Sequence, residues 1–370
     1  MAVLLAASAV RTCLGDLDAT FAALLAGKDG LVPLRYADSR RLNVAFGYHV
    51  DDGPTERPRR ASRWLTACVR SAVAGAGLRP ERERIVAVVG TGLRELRAVE
   101  RWAVDGQDVA TEQLHFADAV RAALPAVAEV YTVSNACSAG GHALALGQDL
   151  IEAGAATAVV VGAADTMTES MLSMIGRVSE SPTERLAPFD RHRTGVLLGE
   201  GAAALVLVAE NRCAAPQARI LATGLSCDAY HETAPDPAGI RRAMTGALER
   251  AGRLPEDVDL VLAHGTGTAL NDPVEATALR TILGTPVVAA IKGAIGHTSG
   301  ASALHSLAVA IRCLRDGVAP PVVGLREPIP EADGLRLVVG QPVRAAARLA
   351  QVDAFGFGGV NAVTLLEGVA

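Results

Sequence analysis

The segment VSNACSAGGHALALG, residues 133–147, places a single cysteine between a β-branched run and a stretch of small, helix-favouring residues. This pattern predicts a strand that ends near residue 134 and a helix over 138–153, with Cys137 at the turn between them. Free N–H groups and the dipole at a helix N-terminus stabilise a thiolate, so we expect a lowered pKa at this position. The segment alone leaves two interpretations open: a reactive thiol, or a buried cysteine in a tight turn.

Outward from this segment, strand-length apolar runs alternate with amphipathic stretches of helix length, which predicts an α/β fold. Strands are expected at 2–10, 84–90, 129–134, 157–163 and 201–209, and again at 218–226, 258–263, 286–291, 349–355 and 361–367. Helices are expected at 59–76, 113–124, 138–153, 238–252, 273–283 and 300–315. In both series a single strand comes first and a pair of strands comes last. This shared order predicts that the chain consists of two similar halves, which are joined near residues 210–217. Residues 35–58 and 175–198 are predicted to be irregular loops, a setting in which functional residues are common.

The composition narrows the class of protein. The 370 residues are 50% hydrophobic, enough for a large core divided between two domains. A net charge of −5 and an aromatic content of 3% argue against a nucleic-acid partner. Six scattered cysteines without a CxxC pair argue against a disulfide framework and favour the reducing cytoplasm. The apolar start of the chain is expected to be a buried strand rather than a signal peptide, and no apolar run has the ~20 residues of a membrane span.

Three further segments carry candidate functional residues. His264 lies in AHGTGT at the end of a predicted strand, where ligands gather in α/β folds. Lys292 and His297 lie in KGAIGH just before a predicted helix, and FGFGGVN at 355–361 is a glycine-rich turn between two strands. Each signal is weak alone, and GTGLRE at 90–95 lacks the third glycine of a dinucleotide-binding loop. A zinc site of Cys137, His264 and His297 is conceivable from the residue types, but nothing else supports it, and no metal is expected.

Taken together and in this order, NACSAG, HGTGT, KGAIGH and GFGGVN resemble the motifs of the β-ketoacyl synthases of fatty-acid and polyketide assembly, in their elongating Cys-His-His type. APFDRHRTGVLLGEGAAALVL at 187–207 is also similar to that family. The resemblance implies a thiolase fold, in which two pseudo-symmetric βαβαβαββ halves form a five-layer α-β-α-β-α sandwich. The halves would be residues 1–212, with the cysteine, and 213–370, with the two histidines.

The resemblance also implies roles for individual residues. Cys137 would be the acyl-accepting nucleophile, and the backbone N–H groups of Cys137 and Phe357 would form an oxyanion hole. His264 and His297 would stabilise the enolate of a malonyl thioester, and Lys292 would orient His297. Supporting positions are Asp272, Glu275 and Asn361. Positions for substrate and the pantetheine arm are Thr266, Thr268, Phe355, Phe357, Gly358 and Gly359. Candidates for docking a carrier protein are Arg57, Arg59, Arg60 and Arg63.

The implied activity is decarboxylative condensation of an acyl thioester with a malonyl-carrier-protein thioester. Two alternatives remain open: an acyltransferase that forms an ester or amide without decarboxylation, and a non-catalytic partner subunit of a ketosynthase heterodimer. The presence of Cys137, both histidines and Lys292 argues against the non-catalytic subunit. The implied partners are an acyl carrier protein and either a second copy or a ketosynthase-like subunit, with no cofactor. His142 and His305 are expected to be packing or surface residues.

Overall fold

The computed structural model describes residues 2–35, 39–55, 57–177 and 182–369. All ten expected strands and six expected helices are present, with ends that move by no more than four residues. Helices that were not expected occupy 17–25, 96–105 and 169–177, and the last of these overlaps the predicted loop 175–198. Short elements also lie in the predicted loop 35–58, of which residues 36–38 and 56 are outside the described residues, as are 178–181.

The first half of the chain contains a repeated alternation of strand and helix. Its strands are β1 (Val3–Arg11), β2 (Val32–Pro33), β3 (Phe46–Gly47), β4 (Ile85–Gly90), β5 (Glu129–Val133), β6 (Ala158–Asp165) and β7 (Gly201–Ala209). Its helices are α1 (Leu17–Leu25), α2 (Ser39–Leu42), α3 (Arg60–Gly75), α4 (Leu96–Asp105), α5 (Ala117–Ala123), α6 (Ala139–Glu152) and α7 (Glu169–Arg177).

The second half repeats that alternation. Its strands are β8 (Ala218–Cys227), β9 (Leu260–Leu262), β10 (Val287–Ala289), β11 (Val318–Ala319), β12 (Arg336–Leu337), β13 (Val343–Arg344), β14 (Leu349–Gly356) and β15 (Val360–Gly368). Its helices are α8 (Pro237–Ala251), α9 (Asn271–Ile282), α10 (Lys292–Ile295) and α11 (Ser302–Asp316). The predicted boundary at 212/213 lies between β7 and β8.

Within the described residues, eleven strands form one sheet in the order β12-β10-β9-β14-β15-β8-β1-β7-β6-β4-β5. The two halves meet where β1 pairs with β8 through residues 3–5 and 218–220. From this junction outward, the first half runs β1, β7, β6, β4, β5 and the second runs β8, β15, β14, β9, β10. In each half the strands at the junction are antiparallel and the outer three are parallel. The same connection order therefore occurs twice, which is the predicted pseudo-symmetry.

Alternate residues along each strand face different helices, because side chains on a strand alternate between the two faces of the sheet. Leu5, in the first half, and Leu262, in the second, share one core with α6 and α11. Leu4, on the opposite face of the first half, packs with α3 and α5. Val261, on the opposite face of the second half, packs with α8 and α9. The order of layers is therefore helix, sheet, helix, sheet, helix, and α6 and α11 form the middle layer.

This arrangement places the sequence motifs together. Cys137 lies in the turn that leads into α6, and His297 lies just before the turn that leads into α11, so both lie at the N-terminal ends of the two central helices. His264 follows β9, whose parallel neighbours end at the same edge of the sheet. In the described part of the chain, no helix is both long enough and apolar enough to cross a membrane.

Candidate active site

Cys137 lies in a tight turn between β5 and α6. It belongs to a single turn of 3₁₀ helix, Ala136–Ser138, that leads directly into α6. Ala136 has a φ of 47°, a left-handed conformation that is uncommon for a residue with a side chain. The Cys137 side chain is 6% exposed, and the backbone N–H of Phe357 acts on its sulfur by lowering the pKa of the thiol. The turn thus aims the thiol at the glycine-rich segment between β14 and β15.

The sequence pattern predicted a lowered pKa for the Cys137 thiol. This prediction is wrong for the site without a bound substrate. Burial raises the pKa of Cys137 to about 11, because the enclosed site holds the charged thiolate away from water. The positive charge of Lys292 and the N–H of Phe357 lower the pKa only in part. The cysteine is therefore a protonated thiol at rest, and its attack on a thioester has to be coupled to loss of the proton.

His264 and His297 line the same pocket as Cys137. Their ring centroids are 5.3 Å apart and the planes are nearly perpendicular, at 85°. Burial, together with the nearby charge of Lys292, lowers the pKa of each imidazole well below its ordinary value. Both rings are therefore neutral at pH 7, so each has one nitrogen that donates and one that accepts a hydrogen bond.

The hydrogen bonds at Nδ1 define which nitrogen donates. Nδ1 of His297 accepts the backbone N–H of Ser299 at 3.2 Å. Nδ1 of His264 lies 3.3 Å from the ammonium nitrogen of Lys292, which can only donate. In both neutral rings the proton is therefore on Nε2. The site presents two N–H donors from neighbouring imidazoles, which suits stabilisation of a developing negative charge on one oxygen.

Lys292 begins the short helix α10 and is 1% exposed. Its ammonium group contacts Nδ1 and the backbone carbonyl of His264. The expectation that Lys292 orients His297 is therefore wrong: Lys292 orients His264, and the N–H of Ser299 orients His297. Burial lowers the pKa of Lys292 to about 8, while the charge of Glu275 opposes this lowering, so the ammonium form predominates at pH 7.

Asp272, near the start of α9, is fully buried. Its carboxylate accepts the backbone N–H groups of Phe189 at 2.7 Å, Thr266 at 3.0 Å and Gly267 at 3.1 Å. Burial raises the pKa of this carboxyl, and the same hydrogen bonds partly offset the increase. Asp272 therefore joins the loop after β9 to the segment around residue 189.

Glu275, one turn further along α9, accepts the backbone N–H groups of His264 at 2.6 Å and Gly265 at 2.8 Å. The amide of Asn271 donates to both acidic residues, at 2.9 Å to Glu275 and 3.3 Å to Asp272. Burial raises the pKa of Glu275 to about 7. The two supporting carboxyl groups thus fix the backbone that carries His264.

The glycine-rich turn is held at its base by Asn361, whose amide donates to the carbonyl of Gly359 at 3.1 Å and to Asp228 at 3.3 Å. Gly358 and Gly359 have φ values of 78° and 74°. A Cβ on Gly359 would lie 1.6 Å from a carboxylate oxygen of Asp228, whereas one on Gly358 would meet nothing within 4 Å. A side chain at residue 359 would therefore collide with Asp228 and strain the turn that carries Phe357.

The pocket has a volume of about 620 Å³ including its open mouth. It is lined by the nucleophile, by both histidines and by four of the six residues predicted to bind substrate and the pantetheine arm: Thr266, Thr268, Phe355 and Phe357. The hydroxyl groups of the two threonines are 2.9 Å apart. Gly358 and Gly359 lie in the adjoining turn and do not line the pocket. The roles of these residues remain predictions.

The sequence interpretation missed Asp165, the last residue of β6. Its buried carboxylate accepts the Thr91 hydroxyl at 2.7 Å and the N–H groups of Gly92 at 2.8 Å, Leu93 at 2.9 Å and Gly300 at 2.7 Å. Burial raises its pKa to about 6. Asp165 ties the loop after β4 to the start of α11, beside His297. Its only sequence signal was an acidic residue at the end of the apolar run AVVVGAAD.

Arg60 is not a docking residue, contrary to the prediction. It is 2% exposed, and its guanidinium lies 2.7 Å from Asp52 and 2.9 Å from Glu200. The pair with Glu200 is buried and the pair with Asp52 is partly buried, so Arg60 holds α3 against the segment before β7 and the loop that contains Asp52. The remaining docking candidates stay predictions: the exposed Arg57 and Arg63, and the half-buried Arg59.

Two other histidines serve packing. His305, buried in α11, contacts the hydroxyl of Thr298 at 2.9 Å and the carbonyl of Ala202 at 3.0 Å. His142, half-buried in α6, contacts the carbonyl of Ser138 at 3.1 Å. Among the residues that the structure describes, no three His, Cys, Asp or Glu side chains come together in a way that could hold a metal ion.

A pseudo-symmetric five-layer fold with one cysteine and two imidazoles at the ends of its central helices defines a thiolase-fold protein with a Cys-His-His site. Two family domains match the chain: "Beta-ketoacyl synthase, N-terminal domain" over residues 49–212 and "Beta-ketoacyl synthase, C-terminal domain" over 217–326. The chain belongs to the β-ketoacyl synthase family.

Individual relatives agree with this assignment. The chain is 35% identical over 249 residues to nodulation protein E of Rhizobium meliloti, covering 65% of the chain and 62% of that protein. It is 37% identical over 252 residues to 3-oxoacyl-[acyl-carrier-protein] synthase 2 of Mycobacterium bovis, covering 64% and 60%. The chain thus spans about three fifths of the length of these curated relatives. It matches the structure of the ishigamide ketosynthase/chain length factor with a TM-score of 0.90 and 29% identity, over 100% of this chain and 99% of that one.

Proposed function

We propose that the protein is a decarboxylating condensing enzyme. It transfers an acyl group from a thioester to Cys137 and joins that group to two carbons from a malonyl-carrier-protein thioester, with release of carbon dioxide. One observation carries this proposal: two neutral imidazoles, His264 and His297, each present Nε2–H in the pocket that contains Cys137. Transfer of an acyl group to a cysteine does not need this pair of donors, but an enolate intermediate does.

In the loading step, the sulfur of Cys137 attacks the carbonyl carbon of the acyl thioester. The resulting oxyanion is stabilised by the backbone N–H groups of Cys137 and Phe357, and the donor thiol leaves as the carbonyl re-forms. The cysteine proton ends on the departing sulfur. Because both neutral imidazoles already carry a proton on Nε2, they act as hydrogen-bond donors in this step, and the proton passes from the sulfur of Cys137 to the departing sulfur.

In the condensation step, the bond between the malonyl α-carbon and its carboxylate breaks, and carbon dioxide leaves. The electron pair becomes an enolate whose oxygen accepts hydrogen bonds from His264 and His297. The α-carbon then attacks the acyl carbonyl on Cys137, the carbon–sulfur bond breaks, and the sulfur leaves as a thiolate that takes one proton from solvent. The product is a β-ketoacyl thioester. Lys292 keeps its positive charge beside this centre and holds His264 as a donor.

The experiment that tests the proposal separates the two steps. We expect wild-type protein to gain an acyl adduct on Cys137 by intact mass, and to release labelled carbon dioxide from malonyl-carrier protein. His297→Ala should still load the acyl group but release carbon dioxide ~10²–10³-fold more slowly, the usual effect of losing one oxyanion donor. His192→Ala, at a histidine whose side chain is 76% exposed, serves as the matched control and should retain both steps.

Three results would contradict the proposal. If Cys137→Ala still gained the adduct, the nucleophile would be another residue. If wild-type protein loaded acyl groups but released no carbon dioxide from malonyl-carrier protein, the acyltransferase alternative would replace the condensing enzyme. If nothing loaded with any donor, the non-catalytic alternative would replace both.

The proposed partner in catalysis is an acyl carrier protein, and the name of the mycobacterial relative supports this. Carrier proteins are acidic, so the exposed Arg57 and Arg63 are the docking candidates that the structure leaves available. Reversing both charges should raise the KM for an acyl-carrier substrate at low salt and leave the KM for a small acyl thioester unchanged. Equal KM values for the carrier substrate in both proteins would place docking elsewhere.

The proposed assembly is a dimer, either of two copies or with a ketosynthase-like subunit. The strand β5 supports this, because it ends the sheet with Tyr131 41% exposed, and unpaired edge strands are sites of chain association. The similar structure is named as a ketosynthase together with a chain length factor, and this name supports the heterodimer. Native mass spectrometry of the protein alone distinguishes the two. The cytoplasm is the proposed compartment, supported by six free cysteines, and no cofactor is proposed.

A further inference from the structure

Asp353 is a buried carboxyl group that the proposed mechanism does not use. It lies in β14, which runs parallel to β9, the strand that leads to His264. Its side chain is 1% exposed. Because side chains alternate along a strand, Asp353 shares a face with Phe355, whose ring centroid is 5.6 Å from that of His264. This face packs against α8 and α9, so Asp353 lies in the interior of the second half, on the side of β14 that contacts His264.

The hydrogen bonds of the Asp353 carboxyl are incomplete. Its Oδ1 accepts the amide N–H of Gln351 at 2.8 Å. Its Oδ2 is buried and, within the described residues, has no hydrogen-bond partner. By contrast, the carboxylates of Asp272 and Glu275 each accept at least two backbone N–H groups. A buried carboxylate with so few donors is poorly stabilised, so Asp353 is the acid of this group that is best placed to hold a proton.

Among the described residues, two charged groups act on Asp353 from neighbouring elements: Glu275 from α9 and Lys292 from α10. Burial and the charge of Glu275 raise the pKa of Asp353 well above its ordinary value, and the ammonium group of Lys292 opposes this increase. Burial also lowers the pKa of Lys292 to about 8, and four negative charges oppose this lowering: those of Glu275, Cys137, Asp272 and Asp353. The protonation states of Asp353 and Lys292 are therefore linked.

The order in which Asp353 and Lys292 lose their protons decides what this link does. A carboxyl group is ordinarily the stronger acid by roughly 6 pH units. The N–H of Gln351 and the positive charge of Lys292 both stabilise the Asp353 carboxylate, which favours loss of the carboxyl proton first. Once formed, a carboxylate beside an ammonium group raises the pKa of that ammonium by about 1–3 units.

We propose that Asp353 is a positioning residue for the condensation step: as the pH rises, it releases its proton to the solution before Lys292 does, and the carboxylate that remains keeps Lys292 in the ammonium form that orients His264. The inference rests on the proposed function. A neutral amine accepts as well as donates hydrogen bonds, so it would no longer fix the proton of His264 on Nε2. It would also lack the positive charge that lies beside the developing enolate. Asp353 therefore extends condensation to more alkaline pH.

The experiment measures carbon dioxide release in a single turnover as a function of pH. The full chain is first loaded with an acyl group from a small thioester at pH 7, so that Cys137 no longer titrates, and intact mass gives the occupancy. Labelled malonyl-carrier protein is then added at half-unit intervals from pH 6 to pH 9.5. Wild-type activity should fall at alkaline pH with a midpoint near 8, where Lys292 loses its proton. In Asp353→Asn this midpoint should lie at least about one pH unit lower.

Asp353→Asn keeps the shape of the side chain but cannot ionise, so at alkaline pH only Glu275 of the pair remains charged beside Lys292. The ratio of the wild-type rate to the variant rate should therefore grow about tenfold from pH 6 to pH 9. A structural role of Asp353 would instead lower the rate by one factor at every pH. Glu256→Gln removes an acid at an exposed position, and this matched control should keep the wild-type midpoint.

Gln351→Met is the second variant, and it decides the question if Asp353→Asn does not fold. It removes the N–H that stabilises the Asp353 carboxylate, so Asp353 should stay protonated to higher pH and the midpoint should again fall, by a smaller amount. The replaced amide oxygen is buried and has no partner within the described residues, so its loss should not harm folding.

The outcomes distinguish this inference from the proposed function. A wild-type midpoint in a folded Asp353→Asn overturns the role of Asp353 while the condensing activity stands, as does a rate ratio that is constant with pH. If only Gln351→Met folds, an unchanged midpoint in that variant overturns it. Absence of carbon dioxide release by acyl-loaded wild type at every pH overturns the proposed function itself, and this inference with it.

Discussion

Replacing Asp165 by Asn should remove a pH dependence of stability that this single buried carboxyl imposes. Its pKa in the folded protein is raised from 3.8 to about 6, so the native state binds the proton more tightly than the unfolded chain does. Stability falls with rising pH wherever the native state holds more protons, which here is the range from about pH 4 to pH 6. Burial is the cause, and four hydrogen bonds to the carboxylate oppose it only in part.

The magnitude follows from the pKa difference. Each pKa unit corresponds to about 1.4 kcal/mol, so a change from 3.8 to about 6 corresponds to about 3 kcal/mol in the free energy of unfolding. Asn does not titrate, so the stability of wild type relative to Asp165→Asn should be most favourable at low pH, where the tightly held proton stabilises the folded wild type. The stability advantage of wild type should then shrink by about 3 kcal/mol as the pH rises from 4 to 7.

Guanidinium unfolding of both proteins at half-unit pH intervals gives this difference directly, because other titrating groups cancel between the two curves. Glu256→Gln, at an exposed position, is the matched control and should give a curve parallel to wild type. Parallel curves for Asp165→Asn and wild type would refute the reasoning, as would a wild-type advantage that grows with pH.

The remaining predictions concern the nucleophile, a buried ion pair and the glycine-rich turn. Burial raises the pKa of Cys137 to about 11, so the rate of its alkylation should rise about tenfold per pH unit from pH 7 to 10. Peptide mapping measures this rate, and a plateau below pH 8 would contradict the prediction. Arg60→Ala should lower the free energy of unfolding by about 3–5 kcal/mol, since it removes the guanidinium that neutralises the buried carboxylate of Glu200. The exposed Arg63→Ala should change it by less than about 1 kcal/mol. Gly359→Ala should slow acyl loading, because the new Cβ would displace the turn that carries the oxyanion-hole N–H. Gly358→Ala has open space around its Cβ, so it should lower the stability by only about 1–2 kcal/mol and should load acyl groups at the normal rate.

The amino-acid sequence determined the local elements, because the signals for them are local. Hydrophobic periodicity located the strands and helices of the layered fold, and the repeated order of these elements predicted the two similar halves. Cys137 at the turn before α6 followed from one short segment. The four spaced motifs pointed to the family, which the two matching domains then identified.

Only the tertiary structure decided which side chains are buried and what they contact, because those properties depend on residues far apart in the chain. Arg60 looked like part of a solvated basic run, and its burial against Glu200, 140 residues later, shows a structural role. The carboxylate of Asp165 accepts hydrogen bonds from the backbone of Gly92, 73 residues before it, and of Gly300, 135 residues after it. The pKa of Cys137 is raised rather than lowered, because exclusion of water outweighs the positive charge and N–H donors nearby. Such desolvation arises only when the layers of the fold close over the site, and no local pattern in the sequence records it.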